Sequence, residues 1–325
     1  MGYRLPPLTI SPNWTSAAGA LESILERLGA PLPRHALMGL SGHAWHLCLG
    51  TRAGVTALPS GPADIDGEWQ RAAYGRTGFE WVRFGVPLGG VDDATAKREA
   101  VEWAKIHLAA GQPLIGWDFH LHEHAVVYGY DDARNGFLIS DILTPDLGPF
   151  VALGDWPSSV GRIELLAPTR PTDTDPLETI AASLAAALDT FAGHDGPNDG
   201  QPRGTAALTA WADAFEGEGE VDRAGNAYTL AVLAAARTDG AAFLADLADS
   251  IAPAEEALRS ASRALTDETR ALSPLLTLFP FPSGGHGNVA NPGLRRAAAM
   301  ALRRAARHEE AAAEHIADGL AIVES

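Results

Sequence analysis

The strongest constraint on this chain is a change of period partway along it. From residue 177 onward Ala and Leu recur at helical spacing in segments near 177–192, 204–216, 222–237, 239–250, 253–272 and 292–322, with almost none of the patterning of strands. Stripes of that kind are buried by helix-on-helix packing. Before residue 167, short apolar segments with a period of two are mixed with helical ones. A chain of 325 residues also exceeds what one hydrophobic core usually sustains. Two domains are therefore expected. The stretch APTRPTDTD at 167–175, polar and with two prolines, marks the break. The expected division is a mixed domain over 1–168 and an all-helical domain over 176–325. The helices share no repeat of fixed period.

Within the first part, Ala20, Leu21, Ile24, Leu25 and Leu28 form one stripe, predicting a helix over 16–28 that Gly29 ends. The segments 44–49 and 79–84 read as strands. Asp92 or Asp93 caps a helix reaching about Ala109, which stops at Gly111-Gln112-Pro113. Residues 114–117, 125–130 and 136–140 read as antiparallel strands. The last two are joined across Asp131-Asp132-Ala133-Arg134-Asn135, and 150–153 and 162–166 add two more. The fold class expected from this order is α+β followed by all-α.

Charge narrows the partners. With 24 basic and 41 acidic residues the formal net charge is −17, which repels phosphate backbones and anionic head groups. Neither nucleic acid nor a membrane is an expected partner. Arg295, Arg296, Arg303, Arg304 and Arg307 read as a solvated helix face. Cys48 is the only cysteine, so no intrachain disulfide forms, and no basic-then-apolar leader follows Met1. A cytoplasmic location is expected. The Ala-rich helical part is compatible with a homodimer.

The residues that bear on chemistry lie between His120 and Asp141. His124-x-x-x-x-Gly129-Tyr130-Asp131-Asp132, a short turn and an apolar strand ending in Asp141 resemble the His and Asp strands of papain-like peptidases of the C39 group. The helix Ser16-Ala17-Ala18-Gly19-Ala20-Leu21 matches that group's nucleophile helix, with Ser16 where the family has Cys. Leu28-Gly29 and Leu40-Ser41-Gly42 make the chain similar to the amino-terminal domain of the butirosin-biosynthesis H (BtrH) family, which a helical domain also accompanies. The resemblance implies a papain-like, C39-like fold in which a helix packs on an antiparallel sheet. It also implies a cleft for a small-molecule, peptide or acyl ligand, and an amide- or thioester-cleaving or acyl-transferring site. In that site Ser16 is nucleophile, His124 base and Asp141 orienter, with His43 and His46 lining the cleft. A nucleophile at a helix N-terminus gains from the dipole and backbone N–H groups, while a His takes its proton and a carboxylate fixes the tautomer.

Two positions depart from the family pattern. A hydroxyl is harder to ionise than a thiol. The family's His usually stands six residues before the Gly, where this chain has Glu123. Strand alternation then faces Glu123 toward Ser16 and puts His120, His122 and His124 on the opposite face. This arrangement belongs to a non-catalytic binding or scaffolding protein. A third reading takes those three histidines as metal ligands, with Asp118 or Asp141 beside them and zinc as the metal; otherwise no cofactor is implied. Simpler roles stand beside these: Ser16 as a helix N-cap, Asp141 as a strand-end turn residue, Cys48 as an inert thiol in a strand, and Asn226 facing a cleft or the other domain.

Overall fold

A computed structural model describes residues 3–52, 55–56, 67–89, 93–157, 161–195 and 200–325. Asp92, one of the two expected caps, lies outside them. In chain order the elements are β1 (Tyr3–Arg4), α1 (Ser16–Arg27), α2 (Arg34–Leu40), β2 (Thr51–Arg52), β3 (Val55–Thr56), α3 (Gly67–Tyr74), β4 (Phe79–Pro87), α4 (Asp93–Ala109), β5 (Leu114–Trp117), β6 (His124–Asp131) and β7 (Gly136–Ser140). They continue as α5 (Thr144–Leu147), β8 (Phe150–Ala152), β9 (Arg162–Pro171), α6 (Pro176–Phe191), α7 (Gly204–Glu216), α8 (Arg223–Ser250), α9 (Glu255–Leu278) and α10 (Pro292–Val323). The chain is thus mixed helix and antiparallel sheet. Two compact units emerge: Met1–Pro33 with Gly67–Asp173, and Arg34–Asp66 with Thr174–Ser325. The stretch Arg34–Asp66 therefore groups with the helices, a placement the contiguous division at 168 did not contain.

The first unit is built on a seven-stranded sheet in the order β4-β9-β5-β6-β7-β8, with β1 added to β6. Every pairing in it is antiparallel. The expected strands at 114–117, 125–130, 136–140 and 150–153 are present as β5 to β8. Asp131 accepts backbone N–H bonds from Ala133 and Arg134 in the β6–β7 turn, the local side-chain bonding for which Asp is favoured in turns. Ala100, Val101, Ala104 and Leu108 of α4 pack on Leu114, Ala125, Val127, Phe137 and Ile139 of the sheet. The break expected at 167–175 is shorter than its composition implied. β9 runs through both prolines to Pro171, beside a register irregularity in β4 between Phe79 and Trp81 that relaxes the ladder where Pro168 has no N–H to give. Asp175 then caps α6 by accepting from Leu177 and Glu178.

The second unit is helical apart from the small β2–β3 pairing. The expected strand at 44–49 is absent. That segment is turn and coil with one isolated bridge, Cys48 to Arg203. Its apolar residues serve the helical core instead: Leu47 and Leu49 are buried beside Leu208, Trp211, Leu233, Leu272 and Leu302. The expected helices at 222–237 and 239–250 form one element, α8. Gly240 is a contact point in it rather than a break, since a Cβ there would come within 2.7 Å of the Trp45 ring. Asn226, expected to face a cleft or the other domain, is buried and accepts the Trp211 indole N–H at 3.0 Å. Arg295 and Arg303 are tied down as well. Arg295 donates to the carbonyls of Ala214 and Phe215 at the end of α7, and Arg303 pairs with Asp213 and Glu216, as cations favour at a helix C-terminus.

Three long helices are stapled by ionisable side chains with no exposed surface: Arg237 of α8, Glu268 of α9 and Glu309 of α10. The Arg237 guanidinium donates to Glu309 at 2.5 and 2.9 Å and to the Ala44 carbonyl at 2.6 Å. Thr205 donates to the other Glu309 oxygen. Glu268 sits 3.4 Å from the guanidinium, and among the described residues its oxygens accept no hydrogen bond. Burial, followed by the neighbouring Glu309 carboxylate, pushes the Glu268 carboxyl well above its ordinary range, with Arg237 only partly offsetting this. One cation then faces one carboxylate and one carboxylic acid, the neutral combination that a dry site favours. Among the described residues, no helix is long and apolar enough to cross a membrane.

A pH dependence follows. A carboxyl with a raised folded pKa contributes fully below its unfolded value near 4.5 and loses that contribution as pH rises. Glu268→Gln is therefore expected to gain stability relative to the parent as pH is raised from about 4.5, read as the difference in denaturant midpoints across a pH series. A difference that stays constant or shrinks counts against a protonated Glu268.

Candidate functional site

Ser16 is the first residue of α1, not its cap. Thr15 holds the N-cap position without a side-chain cap bond. An extended arm delivers the chain to this point. Ser23 donates to Thr9 O and accepts from Ser11 N–H, while Ile10 N–H donates to Ser140 Oγ at the end of β7. The arm lies so close to α1 that a Cβ on Gly19 would be 2.3 Å from the Ser11 carbonyl; a glycine in the first turn of the helix is thus a steric requirement.

Opposite Ser16 lies the β5–β6 hairpin loop. Here the expectation of a continuous strand through His120, His122 and His124 is corrected. β6 begins at His124, and Asp118–Glu123 is a loop closed by Asp118 N–H donating to the Glu123 carbonyl at 3.0 Å, with Asp118 in the left-handed region at φ 62°. Alternation of faces does not extend into a loop, so the three histidines diverge. His120 Nδ1 lies 3.0 and 3.1 Å from the two oxygens of Asp141. His122 is exposed, with Nε2 3.9 Å from Asp118. His124 is buried and directed elsewhere. The three histidines expected as zinc ligands, His120, His122 and His124, thus do not converge, and among the described residues no group of three or more His, Cys, Asp or Glu is placed to hold a metal ion.

Glu123 does meet Ser16. The Ser16 hydroxyl donates to Glu123 Oε2 and accepts the His124 backbone N–H at 3.0 Å. The expected Ser16–His124–Asp141 relay is not formed. The His124 ring packs edge-on against Trp117 with centroids 4.8 Å apart, and its Nε2 lies 3.2 Å from the Gln70 amide nitrogen, so a neutral imidazole accepts there. Burial, with the Arg162 charge adding to it, pushes the His124 pKa from 6.5 down to about 3. Asp141 closes the turn after β7 by accepting from Leu143 N–H and Thr144 Oγ1, the strand-end role anticipated for it, and holds His120 rather than His124. No sequence signal marked Gln70 or Arg162, because both act through tertiary placement. His43 and His46, expected to line the cleft, are buried in the helical unit, where His46 pairs with Asp195. Cys48 is a buried thiol in that unit, outside any disulfide, and donates to Gln201 Oε1 at 3.4 Å.

The His124 environment makes a second pH prediction. A base with a depressed folded pKa costs stability once the unfolded chain starts to bind the proton, so the loss begins as pH falls below about 6.5 and continues toward about 3. Its slope is about 1.4 kcal/mol per pH unit. His124→Gln is expected to be less steeply destabilised than the parent between about pH 6 and about pH 4 in guanidinium titrations; parallel curves would show that His124 does not titrate in this way. No model of a known protein family matches this chain, and no curated protein does either, so the chemistry of the site is argued from its geometry.

Proposed function

We propose that the first unit is a divergent papain-like domain of the C39 type, nearest to the amino-terminal domain of the BtrH family, whose former catalytic centre has become a structural lock, and that the protein binds or scaffolds rather than cleaves. The general arrangement supports the kinship: a helix starting at Ser16 against an antiparallel sheet, a strand starting at His124, and an adjacent strand that leads into Asp141. One observation carries the functional part. Ser16 Oγ is engaged by the Glu123 carboxylate and the His124 N–H, and among the described residues no imidazole nitrogen bonds to it.

Acyl transfer requires the hydroxyl proton to leave as the carbonyl is attacked. Carboxylates as a class have pKa values near about 4, far below that of an alcohol, so a carboxylate takes the hydrogen bond without taking the proton. One of the two lone pairs of Ser16 Oγ accepts the His124 backbone N–H, which further lowers its nucleophilicity. The same contacts tie the start of α1 to the start of β6. Binding needs neither proton transfer nor a leaving group, and a fold does not by itself fix an activity.

The test is chemical. With an activated ester or thioester, the parent protein is expected to give no stoichiometric burst and to turn over no faster than Ser16→Ala. A burst in the parent that Ser16→Ala abolishes would overturn the reading. The complementary experiment rebuilds the ion pair: a Ser16→Cys/Glu123→His double variant is expected to be alkylated at position 16 by iodoacetamide near pH 6 at least about tenfold faster than Ser16→Cys alone. Equal rates would mean that position 123 does not address position 16 as described.

A further inference from the structure

Away from Ser16, the sheet unit carries a second polar centre. His120 stands on the β5–β6 loop with Nδ1 against Asp141, whose carboxylate is buried and further anchored by Leu143 N–H and Thr144 Oγ1. A ring held in this way keeps its orientation, and in the neutral imidazole the hydrogen lies on Nδ1 and Nε2 presents a lone pair. His120 and Phe119 form one side of a pocket of about 330 Å³, completed by Phe150, Val151, Ala152 and Asp155. That volume is at the small end of ligand sites, about 300–1,000 Å³. Its aromatic wall is rigid. Phe119 stacks on Trp156 with centroids 5.2 Å apart and meets Phe137 edge-on at 5.5 Å.

The polar groups of the pocket share one character. Asp155 is an exposed carboxylate that makes no hydrogen bond or ion pair among the described residues, and no described group bonds to His120 Nε2. A carboxylate and an imidazole lone pair are both acceptors, set into apolar and aromatic walls. Such a lining is satisfied by a ligand that donates hydrogen bonds, carries positive charge and has an apolar body. The net charge of −17 enriches cations and depletes anions around the molecule.

We propose that this pocket binds a small primary amine with an apolar or aromatic body, its ammonium group donating to Asp155 and to Nε2 of His120 while the body lies between Phe119 and Phe150. Asp141 acts as a positioning residue that aims the ring. The proposal rests on the reading of this unit as a binding domain and assigns the ligand class and the place. It does not involve Ser16.

The test uses the full chain at about pH 8, where imidazoles as a class are neutral, with phenethylamine, phenethyl alcohol and phenylacetate as probes in calorimetric or NMR titrations. The amine is expected to bind with a Kd on the order of 1 mM or tighter, the alcohol about tenfold more weakly, and the carboxylate undetectably. Asp155→Asn, at an exposed position where folding is not at stake, is expected to weaken the amine about tenfold. His120→Gln is expected to weaken it comparably, and Ser16→Ala not at all. Equal binding of amine and alcohol, unchanged binding in Asp155→Asn, or no amine binding would each overturn the proposal. None of these results bears on the Ser16 reading, which the ester burst decides separately.

Discussion

The sheet unit depends on where β6 begins. That strand is paired on one side with β5 and on the other with β7, takes β1 along part of its length, and supports α1. Its start is set by one backbone hydrogen bond, from Asp118 to the Glu123 carbonyl, which ends the hairpin loop and commits the next residue to the ladder. A side chain in the loop is free of the two-residue alternation, and one in the strand is bound by it. Glu123 is the last residue before that commitment and His124 the first after it. The former is therefore available to Ser16, whereas the latter offers Ser16 only its backbone.

Both units hold a titratable side chain in dry surroundings, and both resolve the cost of buried charge by neutrality. His124 does so by giving up a proton, Glu268 by keeping one. In the pH range between the ordinary values of the two groups, an unfolded chain carries a charged imidazole and a charged carboxylate. Folding in effect moves a proton from one type of group to the other. Each group alone makes stability depend on pH, and with opposite sign, so in that range the two dependences oppose one another. Arg237 cannot make such an exchange, because a guanidinium does not release its proton. It is matched instead by the full charge of Glu309 and by the Ala44 carbonyl.

Much of this was legible in the residues, for physical reasons that also explain what was not. The stripe from Ala20 to Leu28, the caps and stops around α4, and the turn from Asp131 to Asn135 are local signals, and the elements they implied are present. Counting back from Gly129 put Glu123 rather than a histidine opposite Ser16, and the two meet. The histidines misled because His-x-His-x-His has the period of a strand, while the left-handed conformation of Asp118 that ends the pattern leaves no compositional trace. Residues 44–49 misled in a related way: an apolar run records that a segment is buried, not whether its backbone is paired. The attachment of His120 to Asp141 joins residues from two different turns, and no spacing rule addresses such a pair.

The grouping of Arg34–Asp66 with Thr174–Ser325 makes neither unit a continuous piece of chain. The polypeptide leaves the sheet unit after α1, contributes α2 and the segment around Trp45 to the helical one, returns to lay down α3 and most of the sheet, and leaves again after β9. On a ribosome this fixes an order of events. Trp45, Leu47 and Leu49 emerge long before the helices that bury them, so an early stretch of apolar chain must wait for the last third of the protein to be made. The chain re-enters the sheet unit at Gly67, which is buried against Glu164 and Arg83. The helical unit cannot complete its core from the C-terminal half alone, and a cut at the apparent boundary near residue 173 would separate it from part of its own interior.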